Sequence, residues 1–283
     1  MKALTELQAA DAYCRYLAGR HYENFSVASL LLPSAIRLHL ARIYAFCRTT
    51  DDLGDESGPS ALPRLELWRE QVHQCFDGAP DPVHPVLLAL RRTVAAFDLS
   101  PRPFLDLIEA NVQDQLACAY DTWDELRQYC LLSAAPVGRL VLGVFGVRDP
   151  HAATLSDDVC IGLQLANFAQ DVAVDRAKGR LYLPQADLRA HGLHGAVRAT
   201  CERAESLLAS GRNLEDMVPR RLRVQLALYR LGGLAILAAI RRMGYRTDQE
   251  RPHVSLPVKA GLVPLAFIQS TRRRGYVRPQ RAV

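Results

Sequence analysis

Residues 43–56 read IYAFCRTTDDLGDE. An apolar run ends in four carboxylates within nine residues: Asp51, Asp52, Asp55 and Glu56. Like charges this close repel one another, so a cation or counter-charge is expected there. Asp51 and Asp55 are four residues apart, which on a helix places both on one face, one turn apart. A second stretch, QLANFAQDVAVD at 164–175, has the same spacing between Asp171 and Asp175. Gln164, Asn167, Asp171 and Asp175 fall at i, i+3, i+7 and i+11 and predict one polar stripe. Its apolar neighbours suggest that the stripe faces inward.

Around these stretches the chain reads as helical throughout. Apolar residues recur at helical spacing, and alternating strand patterns are absent. Helices are expected at 5–19, 34–53, 61–75, 84–97, 103–119, 122–145, 152–176, 195–210, 218–243 and near 259–270. Gly and Pro cluster between them at 55–63, 77–85, 98–103 and 247–257. No linker-like stretch divides the chain. The expectation is one all-α domain over 1–283, with a basic, flexible tail near 271–283.

Composition excludes several classes. Of 283 residues, 49% are hydrophobic and 23% charged, which suits a well-cored soluble chain. A net charge of +5 is too modest for a nucleic-acid binder. Seven cysteines without a C-x-x-C pair argue against a disulfide framework or a zinc site, and favour a reducing cytoplasm. They are expected to be small core fillers. The first twenty residues are amphipathic and include acids, unlike a signal peptide. The apolar runs 231–240 and 260–268 are too short to span a bilayer.

Two carboxylate pairs are the chemistry of a hard divalent cation. Mg²⁺ takes oxygen ligands and is held by one or two carboxylates plus substrate phosphates. Asp51, Asp55, Asp171 and Asp175 are therefore the expected metal ligands, forming a cradle for a Mg²⁺–diphosphate. Gln164 and Asn167 are suited to ordering metal-bound water. Arg48, one turn before Asp51, and Lys178 and Arg180, just past Asp175, are suited to phosphate oxygens. A lone D-x-x-x-D is usually a solvated face; two, each set in apolar sequence, make metal binding an even match for that reading.

With those motifs in hand, the chain resembles the squalene and phytoene synthases, the head-to-head trans-isoprenyl diphosphate synthases. IYAFCRTTDDLGDE resembles the family's first aspartate-rich motif. QLANFAQDVAVDRAKGRLYLP, 164–184, resembles the second. YCLLSAAPVGRLVLGVFG, 129–146, resembles a central helix broken near the active site. Pro136 and Gly138 predict such a break on physical grounds too. The resemblance runs over roughly residues 15–245.

It implies an all-α isoprenoid synthase fold, a helical bundle around a large central cavity, with the aspartate motifs at its mouth. It also implies that His21, Arg48, Arg180 and Tyr182 contact diphosphate, with Gln164 and Asn167 beside it. Tyr44, Asp114 and Tyr129 would line the catalytic cavity. The sequence departs from the commoner pattern at Gln170, where many members have Arg, and at DVAVD, where many read D-V-G-E-D. One positive and one negative group are thus missing from the usual site.

HYENFSVASLLLP (21–33), AAPVGRLVL (134–142) and QDVAVD (170–175) resemble the bacterial hydroxysqualene synthases of hopanoid biosynthesis. The implied reaction is Mg²⁺-dependent ionisation of presqualene diphosphate, with water capture of the rearranged cation. Phe25, Tyr44, Phe46, Tyr129 or Phe168 would shelter that cation, each worth on the order of 2 kcal/mol when desolvated. Asp114 and Tyr129 are the candidates for aiming the water. Two rival readings stand: condensation of two prenyl diphosphates to presqualene diphosphate, squalene or phytoene, and a non-catalytic scaffold. The basic tail and a lipid product suggest peripheral contact at the inner membrane surface. The remaining histidines, His39 and His84 among them, are expected at the surface or in loops.

Overall fold

In the computed structural model, the described residues are 2–20, 32–77, 84–116 and 119–271. His21 and Phe25 lie outside them, as do Cys118 and the tail from 272. Twelve α-helices are present among the described residues: α1 (Lys2–Arg20), α2 (Ser34–Asp55), α3 (Ala61–Phe76), α4 (Pro85–Phe97), α5 (Arg102–Leu116), α6 (Trp123–Ser133), α7 (Ala135–Val144), α8 (Pro150–Gln170), α9 (Val172–Ala177), α10 (Gln185–Asp216), α11 (Arg220–Arg242) and α12 (Leu256–Thr271). The β pairing described is one isolated bridge between Ala119 and Leu181. The all-α expectation holds.

Two expected helices are interrupted and a third is extended, each for a local reason. The 122–145 helix breaks at Ala134 (φ −118°, ψ −49°), two residues before the predicted disruptor Pro136. Pro136 lacks an amide hydrogen and crowds the preceding turn, so α6 and α7 form separately. The 152–176 helix bends at Asp171 (φ −103°, ψ 19°), which separates α8 from α9. The Asp175 N–H still donates to the Asp171 carbonyl at 2.8 Å, so the one-turn spacing of the pair survives the bend. The 195–210 helix is longer than expected, and α10 kinks at Gly192. There φ is +66°, a conformation that glycine adopts without steric cost.

The chain folds as two compact units. The first comprises Met1–Cys118 and Arg127–Gly146. Its core is built on α2, whose Phe46 is fully buried against Trp68 (stacked, 5.8 Å) and Phe104 (edge-on, 5.1 Å). Trp68 Nε1 donates to Thr50 Oγ1 at 3.0 Å, and Thr50 donates to the Phe46 carbonyl at 2.9 Å. These bonds lock α2 against α3 one residue before Asp51. Arg42 makes a bidentate pair with Asp11 (2.8 and 2.9 Å), joining α2 to α1 in a buried setting. His39 corrects the surface-or-loop reading, being half-buried within α2 and bonded to Thr93 Oγ1 at 2.9 Å, whereas His84 lies in the loop before α4 and packs edge-on to Trp68.

The second unit comprises Ala119–Leu126 and Val147–Val283. Here α8 packs on α10 and α11 through small residues. A Cβ at Gly211 would approach Val159 Cγ2 to 2.5 Å, which is why α10 can come so close to α8. Helix α11 is long and apolar enough to cross a membrane, but 67% of its most apolar stretch is buried in this unit. Its Arg230 forms a buried pair with Glu215 (2.7 Å) and also donates to Gln269 Oε1 at 2.9 Å. Arg223 donates to the Ser270 carbonyl at 3.3 Å, so two arginines of α11 hold α12. Cys14, Cys75, Cys130 and Cys201 are buried free thiols, as core fillers should be.

Candidate active site

The first acidic segment ends α2 in the first unit. Asp51 and Asp55 both stand at the exposed side of the helix. Asn111, on α5, donates Nδ2 to Asp51 Oδ1 at 3.3 Å and to the Leu107 carbonyl at 3.1 Å. Gly54 makes this approach possible, since a Cβ there would lie 2.5 Å from Asn111 Oδ1. Crowding by protein pushes the Asp51 carboxyl up to about 6, although its side chain still meets water. The Asn111 hydrogen bond and Arg48 oppose that rise, while Asp55 and Asp52 add to it. A carboxylate raised mainly by burial gains from an opposite charge placed against it, which suits it to a divalent cation.

Arg48 is turned towards the other two acids of the segment. Its Nη2 lies 2.5 Å from Asp52 Oδ1 and 3.6 Å from Glu56 Oε1. Its buried Nε has no hydrogen-bond partner among the described residues, so the guanidinium keeps donor capacity. The acids therefore divide in two. Asp52 and Glu56 engage Arg48, while Asp51 accepts from Asn111. Tyr44, one turn before Arg48, is half-buried, and burial raises its phenol above the ordinary value.

The same unit contains a phenol–carboxylate pair. Tyr129, buried on α6, donates its hydroxyl to Asp114 Oδ2 on α5 at 2.7 Å. The structure thus brings together the two residues expected to aim a water. Phe46 does not belong with them. It is wholly enclosed by core side chains and has no face to offer a cation.

The second acidic segment lies at the α8–α9 bend in the second unit. Gln164, Asp171 and Asp175 are half-buried and Asn167 is exposed, while Leu165, Ala166, Phe168 and Ala169 beside them are buried. The stripe is therefore half-open to water, a correction to the inward-facing expectation. Asp171 is gripped by Arg251, whose Nε and Nη2 reach its Oδ1 and Oδ2 at 2.5 and 3.3 Å. The preceding residue, Gln170, is buried and donates Nε2 to the Pro252 carbonyl at 2.7 Å. Two adjacent residues of the motif thus clasp two adjacent residues of the segment before α12.

Past α9 the chain turns back, with the Arg180 N–H donating to the Asp175 carbonyl at 2.9 Å. Lys178 is exposed in that turn and Arg180 is half-buried. Tyr182 is buried, its ring stacked 4.2 Å from Phe168 and 6.3 Å from Tyr120. One face of Phe168 is covered by this stack and cannot receive a cation.

Asn111 and Arg251 were not anticipated from the sequence. Gly54 was a usable signal for the first, because glycine inside a helix often marks a close approach. Nothing local announces Arg251, which is 80 residues from its partner. Among the described residues, no three His, Cys, Asp or Glu side chains gather into a ready-made metal centre. Oxygen-only carboxylate pairs fit Mg²⁺, which completes its shell with water and phosphate oxygens.

The squalene/phytoene synthase profile matches residues 18–257. The phytoene synthase of Arthrospira platensis is 34% identical over 203 residues, covering 65% of this chain and 64% of its own. The chain thus spans just under two thirds of that relative. The hydroxysqualene synthase of Rhodopseudomonas palustris is 32% identical over 265 residues, covering 87% and 85%. The crystal structure of squalene synthase HpnC from Alicyclobacillus acidocaldarius superposes with a TM-score of 0.80 at 47% identity, covering 85% of this chain and 96% of that one. A dehydrosqualene synthase with bound ligand has the same fold at TM-score 0.85 and 23% identity. With its all-α isoprenoid synthase fold, its two aspartate pairs and a profile match over most of its length, this chain belongs to the squalene/phytoene synthase family.

Proposed function

We propose that this chain is a hydroxysqualene synthase, converting presqualene diphosphate and water to hydroxysqualene and diphosphate. The observation that carries this reading is the 32% identity to the R. palustris hydroxysqualene synthase, spread over 85% of that protein's length. The 47% identity to squalene synthase HpnC supports a product of the squalene branch of the family. A condensing, phytoene-synthase reading is favoured by the similar identity to the A. platensis enzyme and is the alternative to be tested.

Asp51 with Asp55, and Asp171 with Asp175, would hold Mg²⁺. When bound, Mg²⁺ neutralises the charge that builds on the departing group. Arg48, Arg180, Tyr182 and, outside the described residues, His21 contact diphosphate oxygens. Gln164 and Asn167 orient water or phosphate oxygens beside the second pair. The carbon–oxygen bond to diphosphate breaks and leaves a carbocation, which faces Tyr44 and Tyr129. Tyr129 holds the Asp114 carboxylate in place, and that carboxylate orients one water. That water's oxygen bonds to the rearranged cation, and its proton leaves to Asp114.

The test is product analysis with Mg²⁺ and without any nicotinamide cofactor. Presqualene diphosphate should yield an alcohol. Condensation of two farnesyl or geranylgeranyl diphosphates, with no turnover of presqualene diphosphate, would overturn the reading. Turnover unchanged by Asp51→Asn and Asp171→Asn would instead point to a different site or to none.

A further inference from the structure

We propose that Tyr229, held by Gln225, closes the far end of a prenyl-chain channel along α8 and so sets the longest chain that the site accepts. The inference rests on the reading of Asp171 and Asp175 as a diphosphate site. On α8, Cys160, Gln164, Asn167 and Asp171 fall at i, i+4, i+7 and i+11 and keep contact with water, while Ile161, Leu165 and Phe168 are buried. The half-open stripe therefore continues three turns below the acids. Helix α11 runs beside it in the same direction. A Cβ at Gly211 would approach both Val159 and Arg230, and one at Gly233 would come within 2.9 Å of Leu163 Cδ2. Tyr229, Gly232 and Ile236 share a face of α11 at i, i+3 and i+7, and all three are half-buried. A Cβ at Gly232 would meet nothing within 4 Å among the described residues, so the wall is bare there.

The end of this wall differs from its middle. Leu163, Gly232 and Ile236 are apolar. Beyond them, Tyr229 accepts a hydrogen bond from Gln225 Nε2 at 2.7 Å. Gln225 is only 2% exposed, and its Oε1 has no hydrogen-bond partner among the described residues. Burial raises the Tyr229 phenol above its ordinary value, the Gln225 bond opposes the rise, and Cys160 adds to it, so the ring stands near Cys160 of α8. Cys160 lies eleven residues before Asp171, which is about 16 Å along a helix. With carbon–carbon bonds of about 1.5 Å in a zigzag, a farnesyl chain reaches about 15 Å and a geranylgeranyl chain about 20 Å. The longer chain would press on the Tyr229 ring and cover the Tyr229 and Gln225 dipoles with hydrocarbon, leaving them unsatisfied. Ring and hydrogen bond thus act together as a stop. Buried area by itself favours the longer chain, so a preference for the shorter one reports the stop.

The test is calorimetric binding, with Mg²⁺, of farnesyl and geranylgeranyl S-thiolodiphosphates, in which sulfur replaces the bridging oxygen and suppresses ionisation. The parent should bind the farnesyl analogue about tenfold more tightly. Tyr229→Ala should reverse the order, to about tenfold in favour of geranylgeranyl. Tyr229→Phe keeps the ring without the hydroxyl and should fall between the two. Gly232→Leu fills the bare wall and should weaken both chains about tenfold. Inorganic diphosphate with Mg²⁺ should bind all three variants as it binds the parent, which shows the fold and the acidic end intact. Should Tyr229→Ala not fold, Tyr229→Phe and Gly232→Leu decide. A parent without a preference for the farnesyl chain overturns the proposal. So does a Tyr229→Ala variant that keeps the parent's order, or a Gly232→Leu variant that binds both chains as the parent does. If neither chain binds the parent, the diphosphate reading falls as well. Failure of presqualene diphosphate to react would overturn the assigned reaction alone, because these measurements read no turnover.

Discussion

The two carboxylate pairs share one spacing and solve the problem of stacked negative charge differently. Asp51 and Asp55 end an uninterrupted helix, supported by a neutral amide from Asn111, while the nearby Arg48 engages Asp52 and Glu56. Asp171 and Asp175 span a bend, and Asp171 carries a cation brought from 80 residues away. Asn111 gives the first pair a neutral donor, and Arg251 brings the second a cation. A cation arriving at Asp171 would have to displace or share its resident arginine.

Replacing either half should break the comparison most severely. Asp51→Asn and Asp171→Asn should each lower turnover of presqualene diphosphate by roughly 10²–10³-fold, the scale of losing one designed electrostatic contact. Comparable losses would show that both halves act in the same step. A large loss at Asp51 with none at Asp171 would leave the second pair a structural bend stabilised by Arg251.

A binding measurement free of turnover comes next. Mg²⁺ with inorganic diphosphate at about a hundred times the dissociation constant should add about 2.7 kcal/mol of stability. In a chain of this size that raises Tm by roughly 5–10 °C. Asp51→Asn/Asp55→Asn should abolish the rise. A rise that persists in this double variant would place binding on the second pair alone.

Gln170→Ala tests how the borrowed charge is held. It removes a buried hydrogen bond to the Pro252 carbonyl and should cost about 1–3 kcal/mol of stability. Gln170→Glu, which cannot donate when ionised, should cost at least as much. Urea unfolding of both variants decides; no loss in either would show that the clasp does not hold residues 251–252. Arg251→Ala should be milder, because an exposed ion pair is worth about 1 kcal/mol or less. Titration with Mg²⁺ alone should then show tighter binding than in the parent, because Asp171 no longer has an ion pair to give up. Weaker binding would mean that Arg251 shapes the site rather than competing for it.

The smallest effect is a pH dependence in the unit that carries the first pair. Burial and Arg42 lower the affinity of His39 for protons, partly offset by Asp11. The unfolded chain therefore takes up the proton more readily than the folded one. The stabilising difference is fully present above the ordinary value of 6.5 and is lost as pH falls below it. His39→Gln should flatten the fall in Tm between pH 8 and 5. An unchanged slope would assign the acid sensitivity elsewhere.

Legibility followed range along the chain. The aspartate spacing, the helical periodicity and the break near Pro136 are decided within a few residues, and each was readable. The helix break fell at Ala134 because the proline ring acts on the turn before it. Phe46 misled because an aromatic next to a functional motif looks the same whether it points to a cavity or to the core. Asn111, Gln170 and Arg251 act on partners 60, 82 and 80 residues distant, and no local pattern encodes such pairings.

By itself, then, the sequence determined an all-α chain with two one-turn aspartate pairs and a family resemblance strong enough to anticipate Mg²⁺ and a prenyl diphosphate. Backbone propensity, apolar periodicity and residue spacing are local properties, and they suffice for that much. Only the tertiary structure decided which acids are engaged by Arg48, which carboxylate Arg251 grips, and that Gln170 turns inward. These depend on which helices pack together, because burial, charge compensation and exposure belong to the assembled fold and not to any segment of it.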